Sequence, residues 1–422
     1  MTVTAAVAVV GFLCAQQLDP PPAAALTGAQ QRFLVAAERG VTATRNPKLW
    51  WERGRHWYRA RLHHSRAAGL WQVVSLFEAV NGIAIASPTR AHQQDVIRFG
   101  IGAERYLNPD LEPPGFAPRL EQRGSGQATW FDDNGWWGLA FLNAYRATGA
   151  PRFLHDAEVA QGFISVSGWD SRSGSPGGLW WNTNHGFYAG ETLAGGTELS
   201  VRLYGITHEQ HYLDDALKFI DWADVWLYND DGFYARLRTP AGEGISSSSA
   251  VASNRDQAAL AQYPEEAAKL SAGVDPATRA SLLVSNEPPF VPLAMPYVQG
   301  PMILALHGLC EETHDLSFCD RAQGLAQRSA AAFPYPDMGP QFDQVFIRDM
   351  LEYATRTHDV TWYRLAKRNA KRALHRSRVK GGLNLRTWDG NAGASAGVRK
   401  GSLQLHSATT SIFAWMAATP SP

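Results

Sequence analysis

The sequence predicts an all-α fold, an (α/α)6 barrel of six inner and six outer helices, and three observations carry that prediction. One pattern recurs along the chain, an apolar helical stretch precedes each copy, and the long connections all fall on one side of the repeat. The pattern reads "TGAPRFLHDA" from Thr148, "THEQHYLDDA" from Thr207, "THDLSFCDRA" from Thr313 and "THDVTWYRLA" from Thr357. Each copy has Thr, an aromatic five residues on (Phe153, Tyr212, Phe318, Trp362) and Ala four further (Ala157, Ala216, Ala322, Ala366). A degenerate copy from Ser87 has His92 and Val96 at those offsets. Such a repeat is a helix pair: one helix ends before the Thr, and the aromatic packs one turn into the next.

The stretches upstream, such as "LWQVVSLFEAVNGIA" and "PMILALHGLCEE", are apolar nearly all round, as inner helices should be. Those downstream, such as "ALKFIDWADVW", are one-sided and suit an outer layer. Inner helices are expected near 68–85, 134–147, 191–206, 299–312, 341–356 and 403–418. Outer ones are expected near 28–44, 89–106, 151–166, 209–227, 316–331 and 359–376, the first pairing with the last inner helix. The inner-to-outer turns are short, whereas 45–67, 107–133, 167–190, 228–298 and 377–402 are long. All long loops therefore leave one face, where a cleft is expected, because loops of that length in a compact domain usually carry function.

Residues 26–418 read as a single catalytic domain with an extended loop at 228–298, preceded by a segment, 1–25, that is signal-like or disordered. That segment has an apolar stretch with no Lys or Arg ahead of it. Secreted, cell-envelope and cytoplasmic locations all stay open. Cys310 and Cys319 flank one short turn, and a disulfide or two buried thiols are equally allowed. With 39 basic and 39 acidic side chains the net charge is zero, which argues against a nucleic-acid partner. The basic run at 363–380 reads as the solvated face of a helix. No apolar run reaches the eighteen or so residues of a membrane span.

The chemistry gathers where the loops enter the inner helices. "WFDDNGWW" places Asp132 and Asp133 side by side among tryptophans, and "GGLWWNTNH" follows from Gly177. Capping is one reading of the aspartates, since acids are favoured at helix starts. The other is glycoside hydrolysis, in which one carboxyl protonates the leaving oxygen while the other attacks carbon or activates water. Adjacent Cα atoms lie about 3.8 Å apart, so two short Asp side chains suit the close, retaining separation of about 5 Å better than the wider inverting one. Candidate substrate-binding residues are Asn134, Trp136, Trp180, Trp181, Asn182, His185, Gln299, Arg348 and Trp388. One of Trp180 and Trp181 is expected to pack inward and the other to face the cleft. Arg348, on an inner helix, needs a partner, and Asp349 is beside it in sequence.

The two motifs, with "VQG" at 298–300, "FDQVFIRDM" at 342–350 and "HSATTSIFAWMAA" near the end, resemble the endo-α-1,6-mannanases of glycoside hydrolase family 76. The similarity runs in order over residues 68 to 418. It implies an (α/α)6 barrel with Asp132 as nucleophile and Asp133 as acid/base, acting on a mannan-type glycan without metal or organic cofactor, in a chain expected to be a monomer. Two features depart from the family pattern. The 228–298 loop is longer, and "GFYAGETLAGGTELS" replaces an Asn-rich helix start. A differently linked mannan and a non-catalytic glycan-binding protein are the rival readings.

Two other signals are set aside. "GASAG" around Ser395 matches a nucleophile elbow but lacks the strand and helix that motif needs. His208, His314 and His358 fall in the short turns, and no His/Cys spacing suits a metal.

Overall fold

The computed structural model describes residues 26–173, 175, 177–229, 231–238, 291–391 and 401–422. Segment 1–25, most of the 228–298 loop and the Ser395 motif lie outside the described residues. Twelve α-helices are present among those described: α1 (Gly28–Thr44), α2 (Leu70–Ala86), α3 (Arg90–Ala103), α4 (Phe131–Thr148), α5 (Pro151–Ser167), α6 (Gly190–Thr207), α7 (Gln210–Trp226), α8 (Pro296–Thr313), α9 (Leu316–Ala332), α10 (Pro340–Thr357), α11 (Val360–Arg376) and α12 (Leu403–Ala418). The even-numbered helices close a ring, each packing on the next and α12 returning to α2. The odd-numbered ones lie outside it, with α1 against α12. This is the (α/α)6 barrel.

The repeat has a physical cause in each hairpin. The Thr hydroxyl donates back to the carbonyl four residues earlier, at 2.7 Å for Thr148, 2.9 Å for Thr207, 2.6 Å for Thr313 and 2.7 Å for Thr357. The next residue, Gly149, His208, His314 or His358, takes a left-handed conformation with φ from 52° to 67° and caps the helix. Phe153, Tyr212, Phe318 and Trp362 each occupy the third position of an outer helix, and the four alanines one turn later are fully buried. The degenerate copy behaves alike, with His92 third in α3 and Val96 buried. Cys310 and Cys319 form a disulfide across the α8–α9 turn, with Cα atoms 5.3 Å apart.

The loops are more ordered than an all-α reading expects. They carry two hairpins, β1 (Trp51–Glu52) with β2 (Trp57–Tyr58) and β3 (Leu107–Asn108) with β4 (Gly115–Phe116). They also carry an antiparallel sheet of β5 (Tyr188–Ala189), β6 (Ala235–Arg238) and β7 (Val291–Ala294). Buried loop backbone must find partners, and short ladders supply them. Among the described residues no helix is long and apolar enough to cross a membrane.

Candidate active site

The first turn of α4 holds both aspartates. Its cap position is Trp130, so neither carboxylate is the N-cap, although both stand in the first turn, where acids complement the helix dipole. Trp130 instead pairs with Asn182, Phe131 N–H donates to Trp181 O at 2.9 Å, and Thr183 N–H donates to Thr129 O at 3.0 Å. The "GGLWWNTNH" segment is thereby laid along the helix entrance.

Successive side chains of an extended segment point oppositely. Trp180 turns into the wall, 2% exposed, its ring 4.4 Å from Tyr188 and 5.1 Å from His185. Trp181 turns the other way, half-buried, and its indole N–H donates to Asp132 Oδ2 at 3.1 Å. The segment is pinned by Asp170, which accepts from Tyr188 OH, Ser175 and Arg172, contacts that hold its carboxyl well below the usual range.

Asp132 and Asp133 are 8% and 9% exposed, nearly dry yet reachable. Burial raises the proton affinity of both. Asp132 is pushed well up by burial, then by the neighbouring charges of Asp133 and Glu191, while the Trp181 hydrogen bond opposes the shift. Asp133 is pushed up by burial to about 7. The pair therefore holds a shared proton near neutrality. Among the described residues one indole donor, Trp181, reaches the pair, and it falls on Asp132.

Glu191 is a third carboxylate beside the pair, at the same second helical position in α6 that Asp132 occupies in α4. It is fully buried and accepts from Arg236 of β6 at 3.2 Å. A Cβ on Gly190 would stand 2.1 Å from Ala235 O, so only glycine lets β6 bring Arg236 this close. Gly135 lies close against α6, where an added Cβ would stand a tight 3.3 Å from the Gly195 backbone.

An aromatic arc crosses the barrel mouth. Trp136, Tyr297, Phe342 and Trp71, from α4, α8, α10 and α2, follow one another with ring centroids 5.6, 5.1 and 5.9 Å apart.

Several expected sugar ligands are committed elsewhere. Asn134 is fully buried, accepting from Phe116 N–H at 2.7 Å and donating to Phe116 O at 2.9 Å, so it fastens β4 to α4. Gln299 does the same for Tyr234 at 3.0 and 2.8 Å, fastening the loop before β6 to α8. Asn182 is buried and accepts from Asn184 N–H within its own turn. Trp388 is buried, donating to Thr409 Oγ1 at 3.0 Å. Arg348 lies farther down the barrel, donating to Glu78 and Asp349 at 2.9 Å each. Each of these five is buried and already hydrogen-bonded to protein among the described residues. His185 stacks on the Trp180 ring, and its pKa is lowered by desolvation and by Arg172. Trp181 and Trp136 stay at the mouth with the aspartates.

The sequence reading missed Glu191, Arg236, Tyr297, Phe342 and Trp71. Aligning the starts of the inner helices would have found Glu191 opposite Asp132, and an aromatic in the first turn of α2, α8 and α10. No group of His, Cys, Asp and Glu among the described residues is placed to hold a metal.

Asp132, Asp133, Trp181, Glu191 and Arg236 lie inside a sequence match over residues 121–238, the span that carries both motifs. That match is to glycosyl hydrolase family 76. The resemblance to family 76 drawn from the two motifs is thus borne out. Solved structures extend the likeness in fold. A family 76 α-mannanase from Bacteroides thetaiotaomicron is 16% identical with a TM-score of 0.71, covering 92% of this chain and 95% of its own. An inactive variant of a Salegentibacter α-1,6-mannanase, with two adjacent aspartates replaced by alanine and α-1,6-mannotetrose bound, is 14% identical with a TM-score of 0.65, covering 91% and 98%. A D-mannose isomerase shares the fold more loosely, at 10% identity and a TM-score of 0.58, covering 93% and 99%. No curated protein sequence matches the chain.

Proposed function

We propose that the chain is a retaining glycoside hydrolase that cleaves internal α-1,6-mannosidic bonds of a mannan-type polysaccharide. The reading rests on one observation above the rest: two adjacent, nearly dry carboxylates at the open end of the barrel, only one of which receives an indole donor. Asp132, held ionised by Trp181, attacks the anomeric carbon. Asp133, kept protonated by burial, gives its proton to the departing oxygen. A glycosyl ester on Asp132 results, and water, deprotonated by Asp133, releases the sugar with its original configuration. Trp71 and Trp181, the half-buried rings at the mouth, offer apolar faces for sugar rings, whereas Trp136, Tyr297 and Phe342 are buried. The mannan substrate is supported by the family 76 match and by the structural neighbour crystallised with α-1,6-mannotetrose. The isomerase neighbour is a reminder that this fold serves other sugar chemistry, and the paired carboxylates favour hydrolysis.

The test is incubation with linear α-1,6-mannan, following products by size and by NMR. A ladder of oligomers with α-configured new reducing ends supports the reading. β-Product appearing first, or no product at all, defeats it. A second reading, the same barrel on a differently linked or substituted mannan, is favoured by one observation. The Glu191–Arg236 pair occupies a helix start where the family pattern leads one to expect Asn.

A further inference from the structure

Helix α11 carries Arg364, Lys367, Arg368, Lys371, Arg372 and Arg376, with His375 beside them and no acidic residue between Val360 and Arg376. On a chain whose charges sum to zero, this is a marked local asymmetry. The spacing of three and four places all six on one face, over about 18 Å of helix. The opposite face is the barrel contact, made by buried Trp362, Leu365, Ala366, Ala370 and Ala373.

The cationic face is shaped as well as charged. It forms a trough of about 810 Å3 closed on one side by Tyr335, which is 50% exposed. The guanidinium groups of Arg368 and Arg372 lie over that ring at 4.9 and 5.2 Å, and Arg368 also donates to Pro334 O. Fixing the guanidiniums in advance lowers the entropy cost of engaging an anion. Among the described residues, Asp359 caps the far end of the helix, Asp389 lies near Arg372, and Asp337 follows Tyr335 by two residues. Outer helices run toward the long-loop face, so the upper end of the trough, at Arg376, opens at the rim that carries the cleft.

We propose that this face is a docking surface for a phosphate-bearing segment of the glycan substrate, held outside the cleft while a neutral segment is cut within it. The identity of the partner rests on the glycanase reading above. The charge complementarity does not. A membrane surface fits less well, because interfacial helices set large apolar side chains beside their cations, and the aromatics of α11 point inward. Single-stranded nucleic acid needs free aromatic faces for its bases, and the one exposed ring here is already covered by arginine.

The experiment measures binding of the full chain, as Asp132→Asn to prevent turnover, to a phosphorylated mannan and to the same polymer after dephosphorylation. The phosphorylated form should bind at least tenfold more tightly at about 50 mM salt, and the difference should collapse by about 300 mM. The triple variant Arg364→Glu, Lys371→Glu, Arg376→Glu changes exposed residues only and should abolish the preference. Placed in a chain with Asp132 intact, it should leave hydrolysis of a neutral α-1,6-mannan oligosaccharide unchanged. Equal binding of the two polymers, or a preference that survives the triple variant, overturns the proposal. Duplex DNA or anionic phospholipid vesicles binding as tightly through the same three cations also overturns it. Failure of the glycanase reading is separate, visible as no cleavage of neutral mannan by the wild type.

Discussion

The indole N–H of Trp181 donates to Oδ2 of Asp132 at 3.1 Å, across 49 residues of sequence, and among the described residues no comparable donor reaches Asp133. A hydrogen bond to an ionised group contributes about 1.5–3 kcal/mol to holding the charge. Trp181→Phe keeps most of the ring and removes the donor. The acid limb of kcat/KM should then move up by about one to two pH units, since about 1.4 kcal/mol corresponds to one unit. KM on a long substrate should change little, because the stacking face survives. A pH–rate profile checks it, and an unmoved acid limb means the bond does not tune Asp132.

Trp180 should behave differently, although it is the adjacent residue. It is buried against Tyr188 and His185, so Trp180→Ala leaves a cavity in the wall and should cost about 3–5 kcal/mol of stability. Activity per folded molecule should be retained at low temperature. Thermal unfolding and assay of the soluble fraction separate the two tryptophans.

Asn134 and Gln299 make the same kind of clamp, each pairing with both backbone groups of one loop residue. Replacing either by Leu strands a buried N–H and C=O, at about 1–3 kcal/mol for each group. Both variants should lose stability by several kcal/mol in denaturant titrations while KM for a short oligosaccharide holds. A raised KM with unchanged stability would return these residues to the substrate.

Those two amides mark where the sequence stops being legible. The barrel was readable because its repeat is a local device: Thr, a left-handed cap, a third-position aromatic and a small residue all act within one hairpin. The aspartate pair was readable because two adjacent residues must share one place. Asn134 and Gln299 sit inside the right motifs, yet their partners, Phe116 and Tyr234, lie 18 and 65 residues away, and nothing local separates a loop clamp from a sugar ligand. Arg348 was expected to need a partner and has one in Asp349, but Glu78, 270 residues away, claims it as well. Glu191 was hidden for the opposite reason. Its stretch looked like a departure from the family pattern, and only the shared helix-start position relates it to Asp132.

The Cys310–Cys319 bond closes a loop of nine residues' separation across the α8–α9 turn. Protein prepared without reductant should be lighter than the reduced chain by two hydrogens on this pair. Replacing both cysteines by serine should cost about 2–3 kcal/mol, as expected for a short cross-linked loop. Two free thiols in protein made in an oxidising compartment would remove the bond from the structure.

The burial of Asp133 has a consequence for stability as well as for the proposed catalysis. Its pKa rises on folding from 3.8 to about 7 because burial penalises the carboxylate. The folded chain therefore binds more protons at this site than the unfolded chain between those values, so the site's contribution to stability falls as pH rises through that window. Below about pH 4 the group is neutral in both states and the penalty vanishes. Above about pH 7 the penalty is complete, on the order of 4 kcal/mol for a shift of this size. Asp133→Asn keeps the shape and removes the charge. The variant should match the wild type in stability near pH 4 and exceed it by several kcal/mol near pH 8, while losing cleavage of polymer. It should still release nitrophenol from an activated aryl mannoside in the first half-reaction, where the leaving group needs no proton. Urea titrations at the two pH values, beside a burst assay on the aryl substrate, test both halves together. A variant less stable than the wild type at pH 8 would mean that the carboxylate is held by favourable contacts, and the assignment of Asp133 as the proton donor would fall with it.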